Sequence, residues 1–156
     1  VFTDWRQLPA LSDAVQVAGW RWRGIVVWRK PNARPNPGFK NESEYIVWAS
    51  HGQLDSDHRP PFLPGVYSIA NPTGKHRHHL TAKPVELMRQ LVRTVRPGGR
   101  ILDPFTGSGT TGVAAVAEGR EFLGIEAVDA YAQIAAQRLA EHAESAGNTS
   151  PHLGRA

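Results

Sequence analysis

A chain of 156 residues, 40% of them apolar, suits one domain with a modest core and is small for an α/β enzyme that carries its own substrate region. It holds no cysteine, no run of eighteen apolar residues and no basic-then-apolar leader, so disulfides, thiolate zinc, a membrane span and secretion are not expected, and the cytoplasm is the default. The net charge of +4 arises largely within residues 21–40 and 75–100 rather than in a tail, which favours a polyanionic partner.

In chain order, "VFT" at Val1–Thr3 has the extended propensity of a strand and begins with no turn before it, as if in mid-element. Apolar residues at Leu11, Ala14, Val15 and Ala18 have helical spacing, which predicts a helix over Leu8–Ala18 with Ser12 and Asp13 as competing caps and Gly19 as its stop. "RWRGIVVWRK" condenses into an apolar run, Ile25–Trp28, that suits a buried strand, and Glu44–Ser50 is a second strand. The stretch between them is rich in proline and reads as a loop. Residues 51–80 lack a clear period and hold Pro60, Pro61, Pro64 and Pro72 together with His51, His58, His76, His78 and His79, so they read as a long irregular segment of the kind that is functional or disordered.

From Lys83 a period returns. "KPVELMRQLVRTV" places Pro84 in a first helical turn, sets Val85, Met88, Leu91, Val92 and Val95 on one face, and is expected to end at Gly98 and Gly99. A short strand at Ile101–Leu102, a helix over Thr110–Ala117 stopped by Gly119, a strand over Glu121–Ile125 and a helix over Ala130–Ala143 follow. Gly147 and residues 148–156 read as a flexible tail.

The chemistry is concentrated between Asp103 and Glu126. A strand ending at Asp103, then Gly107, Gly109 and Gly112 leading into a helix, lets the backbone approach a ligand and aims free N–H groups at it. Glu126, at the end of the next strand and 23 positions on, is near the spacing at which a carboxylate takes ribose hydroxyls. Gly107, Gly109 and Gly112 also satisfy the dinucleotide pattern, but a carboxylate at the mouth of the loop would repel a pyrophosphate and attract a cationic amino-acid head. The pocket is therefore expected to take a nucleoside-containing cofactor with such a head.

"DPFTGSGTT", Asp103–Thr111, resembles the S-adenosylmethionine loop of the DNA methyltransferases that modify adenine N6 or cytosine N4. "HLTAKPVELM", His79–Met88, is similar to the segment preceding that loop in the permuted class, in which the catalytic half comes first; Thr81, Lys83 and Pro84 match the family's His-Pro-Thr-Gln-Lys-Pro, while Leu80 and Ala82 depart from it. "FLGIEAVDAYAQIAAQRL" resembles the following segment. The resemblance is close over 79–140 and looser over 1–50, through "VVWRK" and "SEYIVWA".

The resemblance implies a Rossmann-like, three-layer α/β methyltransferase fold with parallel strands and an antiparallel edge, spanning 1–147, with 52–78 as a target-recognition insertion. It implies S-adenosylmethionine as cofactor, held by Thr81, Lys83, Pro84, Asp103, Pro104, Phe105, Gly107, Ser108, Gly109, Thr110, Glu126 and Ala127. It implies double-stranded DNA as substrate and a restriction-modification setting, with adenine N6 favoured over cytosine N4. The family's Asp/Asn/Ser-Pro-Pro-aromatic tetrad, which accepts hydrogen bonds from the target amine and stacks on a flipped base, does not occur. "RPPF", Arg59–Phe62, opens on a guanidinium that has no acceptor. The first catalytic segment is thus expected upstream of Val1, supplied by a missing N-terminal stretch or a separate fragment, with pairing to a second copy also open.

Arg29, Lys30, Arg34 and Lys40 around the proline loop, with Lys75 and Arg77, are candidates to grip DNA phosphates, though for the loop cations an ordinary solvated surface is an equal reading. No metal is expected. Trp5, Trp20, Trp22, Trp28 and Trp48 read as core rather than as stacking platforms. A remnant that binds cofactor or DNA without catalysis, and a methyltransferase for RNA or a small molecule, remain as alternatives.

Overall fold

The computed structural model describes residues 1–54, 60–72 and 83–147, and the chain divides into two compact units, Val1–Asn71 and Pro72–Ala156. The first contains β1 (Phe2–Thr3), α1 (Leu8–Val17), β2 (Trp20–Arg29), β3 (Ser43–His51) and β4 (Val66–Ser68), with the strands in the order β1-β3-β2-β4. β2 and β3 form a long antiparallel pair that sets Val26 opposite Ile46 and Trp20 opposite His51; β1 adds antiparallel to β3, and β4 lies parallel to β2 at Val27–Arg29.

The core of this unit is Trp28, Ile46, Val47 and Tyr67. The Trp28 indole donates to the Ile69 carbonyl at 2.7 Å and stands edge-on to Phe2, which links the exit of β4 to β1. The run Ile25–Trp28 was expected to be buried throughout. Only Trp28 is, and Ile25 is exposed, because an antiparallel strand sends alternate side chains to opposite faces.

The tryptophans divide in the same way. Trp28 is buried and Trp48 half-buried, but Trp5, Trp20 and Trp22 are exposed and are used locally: Arg6 lies over Trp5, Trp20 meets His51 edge-on, and the Trp22 indole donates to Gly24 O.

α1 starts at Leu8 as expected, but not on the expected caps. Ser12 and Asp13 lie inside the helix, whose entry is instead shaped by Asp4: one carboxylate oxygen accepts the Arg6 and Gln7 amides at 2.8 and 3.0 Å. Ser12 is buried and donates back to Pro9 O at 2.8 Å, so its hydroxyl cannot cap. Within 51–80, β4 was not anticipated; residues 55–59 and 73–80 lie outside those described.

The second unit runs α2 (Val85–Val92), β5 (Arg100–Asp103), α3 (Thr110–Ala117), β6 (Glu121–Gly124) and α4 (Asp129–Gly147). β5 and β6 are parallel, with Asp103 level with Gly124, as a strand–helix–strand crossover requires. α3 is central. It packs against α2, α4 and both strands, and its Val113, Ala114 and Ala115 have no exposed surface.

The face expected for α2 is turned inward, Val92 buried and Val85, Met88, Leu91 and Val95 half-buried, but Leu87, which was not on it, is the most deeply buried, and Pro84 is the residue before the first turn. The helix stops well before Gly98. Its last turn tightens to i−3 bonds, with the Thr94 amide and hydroxyl both on Leu91 O and the Val95 amide on Val92 O. Arg120 donates to Val95 O from two nitrogens, and Arg89 pairs with Glu118 at 2.7 Å, which ties this tail to the exit of α3. α4 is longer than its apolar pattern indicated and includes Gly147; the tail 148–156 lies outside the described residues. No described helix is long and apolar enough to cross a membrane.

Candidate functional site

The parallel register brings the ends of β5 and β6 to the same edge, so Asp103 and Glu126 flank the loop that enters α3. The ladder continues past the strands: Ile125 N–H donates to Asp103 O at 2.9 Å, and Thr106 N–H to Ile125 O at 3.0 Å. Both carboxylates are bonded into this backbone. Asp103 Oδ1 accepts the Phe105 amide at 3.1 Å and Oδ2 the Thr111 hydroxyl at 2.6 Å. Glu126 Oε2 accepts the Gly107 amide at 2.8 Å and Oε1 the Val128 amide at 3.0 Å. An ionised carboxylate has about four acceptor sites, so each acid can hold the loop and still take donors from a ligand.

Glycine is required here for two different reasons. Gly107 and Gly109 have φ of +53° and +81°, which L side chains rarely adopt. Gly109 is also crowded, since a Cβ there would lie 2.9 Å from that of Ala135, and a Cβ on Gly112 would lie 2.6 Å from the Phe122 ring and 2.8 Å from Leu139. These contacts seat α3 closely on β6 and α4. The α3 N-terminus presents the positive end of its dipole at the loop.

Of the residues expected to hold a cofactor, Asp103, Pro104, Phe105, Gly107, Ser108, Gly109, Thr110, Glu126 and Ala127 are gathered at this edge. Ser108, Gly109 and Thr110 are buried behind it, while Pro104, Phe105 and Ala127 are exposed. Lys83 and Pro84 stand at the start of α2, which packs on α3, and Thr81 lies outside the described residues. The Thr106 hydroxyl is buried and has no hydrogen-bond partner among the described residues.

Two residues that sequence reasoning did not single out join the site. Thr111 holds Asp103. Arg138, from α4, donates one guanidinium nitrogen to both the carbonyl and the hydroxyl of Ser108, the latter at 3.2 Å. Burial lowers the pKa of Arg138, with Glu141 opposing. The only sequence signal for it is its place one turn after Ala135, on the face that meets the loop.

The loop cations are largely paired. Arg29 and Lys40 both bind Glu42, at 2.9 and 3.2 Å, and hydrogen bonds from Arg29 first and Lys40 second lower the Glu42 pKa. Lys30 meets Glu44 at 3.5 Å and lies over the Trp28 ring. Arg34 is exposed and forms no ion pair among the described residues. Lys75, Arg77, Arg59 and the histidines at 58, 76, 78 and 79 lie outside the described residues, while Phe62 is fully exposed. No group of three metal-ligating side chains occurs among the described residues.

Residues 57–137 match the profile of the N6 and N4 family described as DNA methylase. The chain is 33% identical over 142 residues to YubD of Escherichia coli, an alignment that covers 89% of this chain and 60% of YubD. It is 32% identical over 144 residues to the type II methyltransferase M.Cfr9I of Citrobacter freundii, covering 83% of this chain and 48% of that protein. The crystal structure of the M1.HpyAVI complex with S-adenosylmethionine superposes with a TM-score of 0.73 at 27% identity, over 88% of this chain and 72% of that one. The chain thus spans between about half and three-fifths of the curated relatives it matches.

Proposed function

The chain belongs to the DNA methylase family and has its Rossmann-like α/β fold, and from that premise we propose that it carries the S-adenosylmethionine site of a DNA amino-methyltransferase. The observation that carries this reading is that Asp103 and Glu126, at neighbouring strand ends, are both bonded to the backbone of one glycine loop. In this reading Glu126 takes the ribose hydroxyls and Asp103 the ammonium of the amino-acid part. The loop and the first turn of α3 receive its carboxylate, and Lys83, Pro84 and Ala127 lie beside them. Thr81 is proposed from its sequence match alone.

When bound, the cofactor supplies a methyl group on a sulfonium, and these residues bind and orient it. The acceptor is an exocyclic amino nitrogen of duplex DNA, adenine N6 in preference to cytosine N4. The 52–78 segment, Arg34 and the neighbouring cations serve as the DNA-facing part.

Calorimetric titration with S-adenosylmethionine tests the assignment. Glu126→Ala is expected to weaken binding about ten- to a hundred-fold, the loss of a charge-assisted hydrogen bond. Glu126→Gln, which still accepts from the Gly107 amide, should fall between. Affinity unchanged in Glu126→Ala, with the fold intact by circular dichroism, would remove Glu126 from the site.

A further inference from the structure

One face of α4 meets the cofactor loop at three successive points. Ala135 closes on Gly109, Arg138 donates to Ser108, and Leu139 abuts the place where a Cβ on Gly112 would stand. These three are spaced i, i+3 and i+4, so one helical face spans the loop and the first turn of α3. Ser108 lies between the two glycines of left-handed φ, and it is buried. Its carbonyl is therefore a group that a freely rotating glycine segment could aim in more than one direction, and the guanidinium fixes that direction. Asp103 and Glu126 hold amides on the strand side of the same loop, at Phe105 and Gly107. Backbone donors and acceptors of a five-residue stretch are thus fixed from two sides.

We propose that Arg138 is a positioning residue that sets the conformation of the 105–109 loop for the cofactor, acting through the Ser108 peptide and not by touching the cofactor itself. This rests on the reading of the loop as the S-adenosylmethionine site. Arginine suits the task because its planar head stays charged when half-buried and reaches a carbonyl and a hydroxyl at once, whereas a lysine ammonium is a point charge that is more strongly hydrated. Its contribution lies in pre-organisation: a loop already ordered pays less on binding.

Two measurements decide it. In the protein without cofactor, Arg138→Met should speed amide exchange at residues 105–109 by about tenfold relative to the exchange of α3, as expected when one charge-assisted bond to a carbonyl is removed. In titrations with S-adenosylmethionine the same variant should bind about tenfold more weakly, and Arg138→Lys less so. Millimolar methylguanidinium should restore affinity to Arg138→Ala but not to Arg138→Met, whose side chain fills the space. A purely structural role would lower the melting temperature of all three variants with no rescue.

Loop exchange and affinity both unchanged in Arg138→Met would overturn the proposal. Loss of affinity in Glu126→Ala together with wild-type affinity in Arg138→Met would leave the cofactor reading standing and the role of Arg138 refuted. If the unaltered chain took up no S-adenosylmethionine, the cofactor reading would fall, and the loop exchange would still decide whether Arg138 sets the loop.

Discussion

Gly112 illustrates what a single residue contributes at this site. Its backbone is ordinary helix, so its requirement is space: any Cβ would enter the Phe122 ring and the Leu139 side chain, and both belong to packed elements. Gly112→Ala is expected to destabilise the second unit by about 1–3 kcal/mol, the usual cost of overpacking a filled contact, and a urea titration followed by tryptophan-independent circular dichroism measures it. A variant as stable as the parent would mean that α3 can move away from β6. The placing of Asp103, Glu126 and the glycines around one loop was legible from spacing, because acids at successive strand ends and a glycine run before a helix are visible in the sequence. Thr111 and Arg138 were not, since a hydroxyl in the first turn of α3 and a cation 30 positions away from Ser108 reach the loop through folding and leave no period in the sequence.

Among the elements, α3 was readable to its ends, Thr110–Ala117, because a glycine pair opens it and Gly119 closes it. Where glycine was read as the stop of α2, side chains acted first: Thr94 takes the Leu91 carbonyl and the helix ends before Gly98 is reached. α1 starts where its pattern indicates, at Leu8, but its entry is shaped by Asp4 and not by Ser12 or Asp13, since the turn at Asp4 precedes those apparent caps. β4, at three residues, is too short to display alternation. The 30–42 loop shows the same limit for charge, since its composition reveals cations but not that Glu42 and Glu44 pair with three of them. Reversing Lys30 would set two glutamates together over Trp28 and disturb the sheet, so Arg34 is the cleaner probe. If this loop faces DNA, Arg34→Glu should weaken binding at all sequences and reduce the slope of log K against log salt by about 1, measured by fluorescence anisotropy on an unmodified duplex. An unchanged slope would make Arg34 part of a solvated surface.

For the molecule as a whole, binding a cofactor and transferring its methyl group are separable, and these 156 residues are expected to do only the first. Transfer requires the amine nitrogen in line with the sulfonium methyl, and positioning of that kind supplies as much as roughly 7–11 kcal/mol of a barrier in favourable cases. The tetrad that would accept the amine's hydrogens and stack on the base is absent from the sequence, and "RPPF" does not replace it, because a guanidinium has only donors. Incubating the purified chain with unmethylated genomic DNA and radiolabelled S-adenosylmethionine should give incorporation at background. Adding a polypeptide that bears the tetrad should raise incorporation. Robust methylation by the chain alone would show that another side chain aligns the amine, and would return Arg59–Phe62 to consideration.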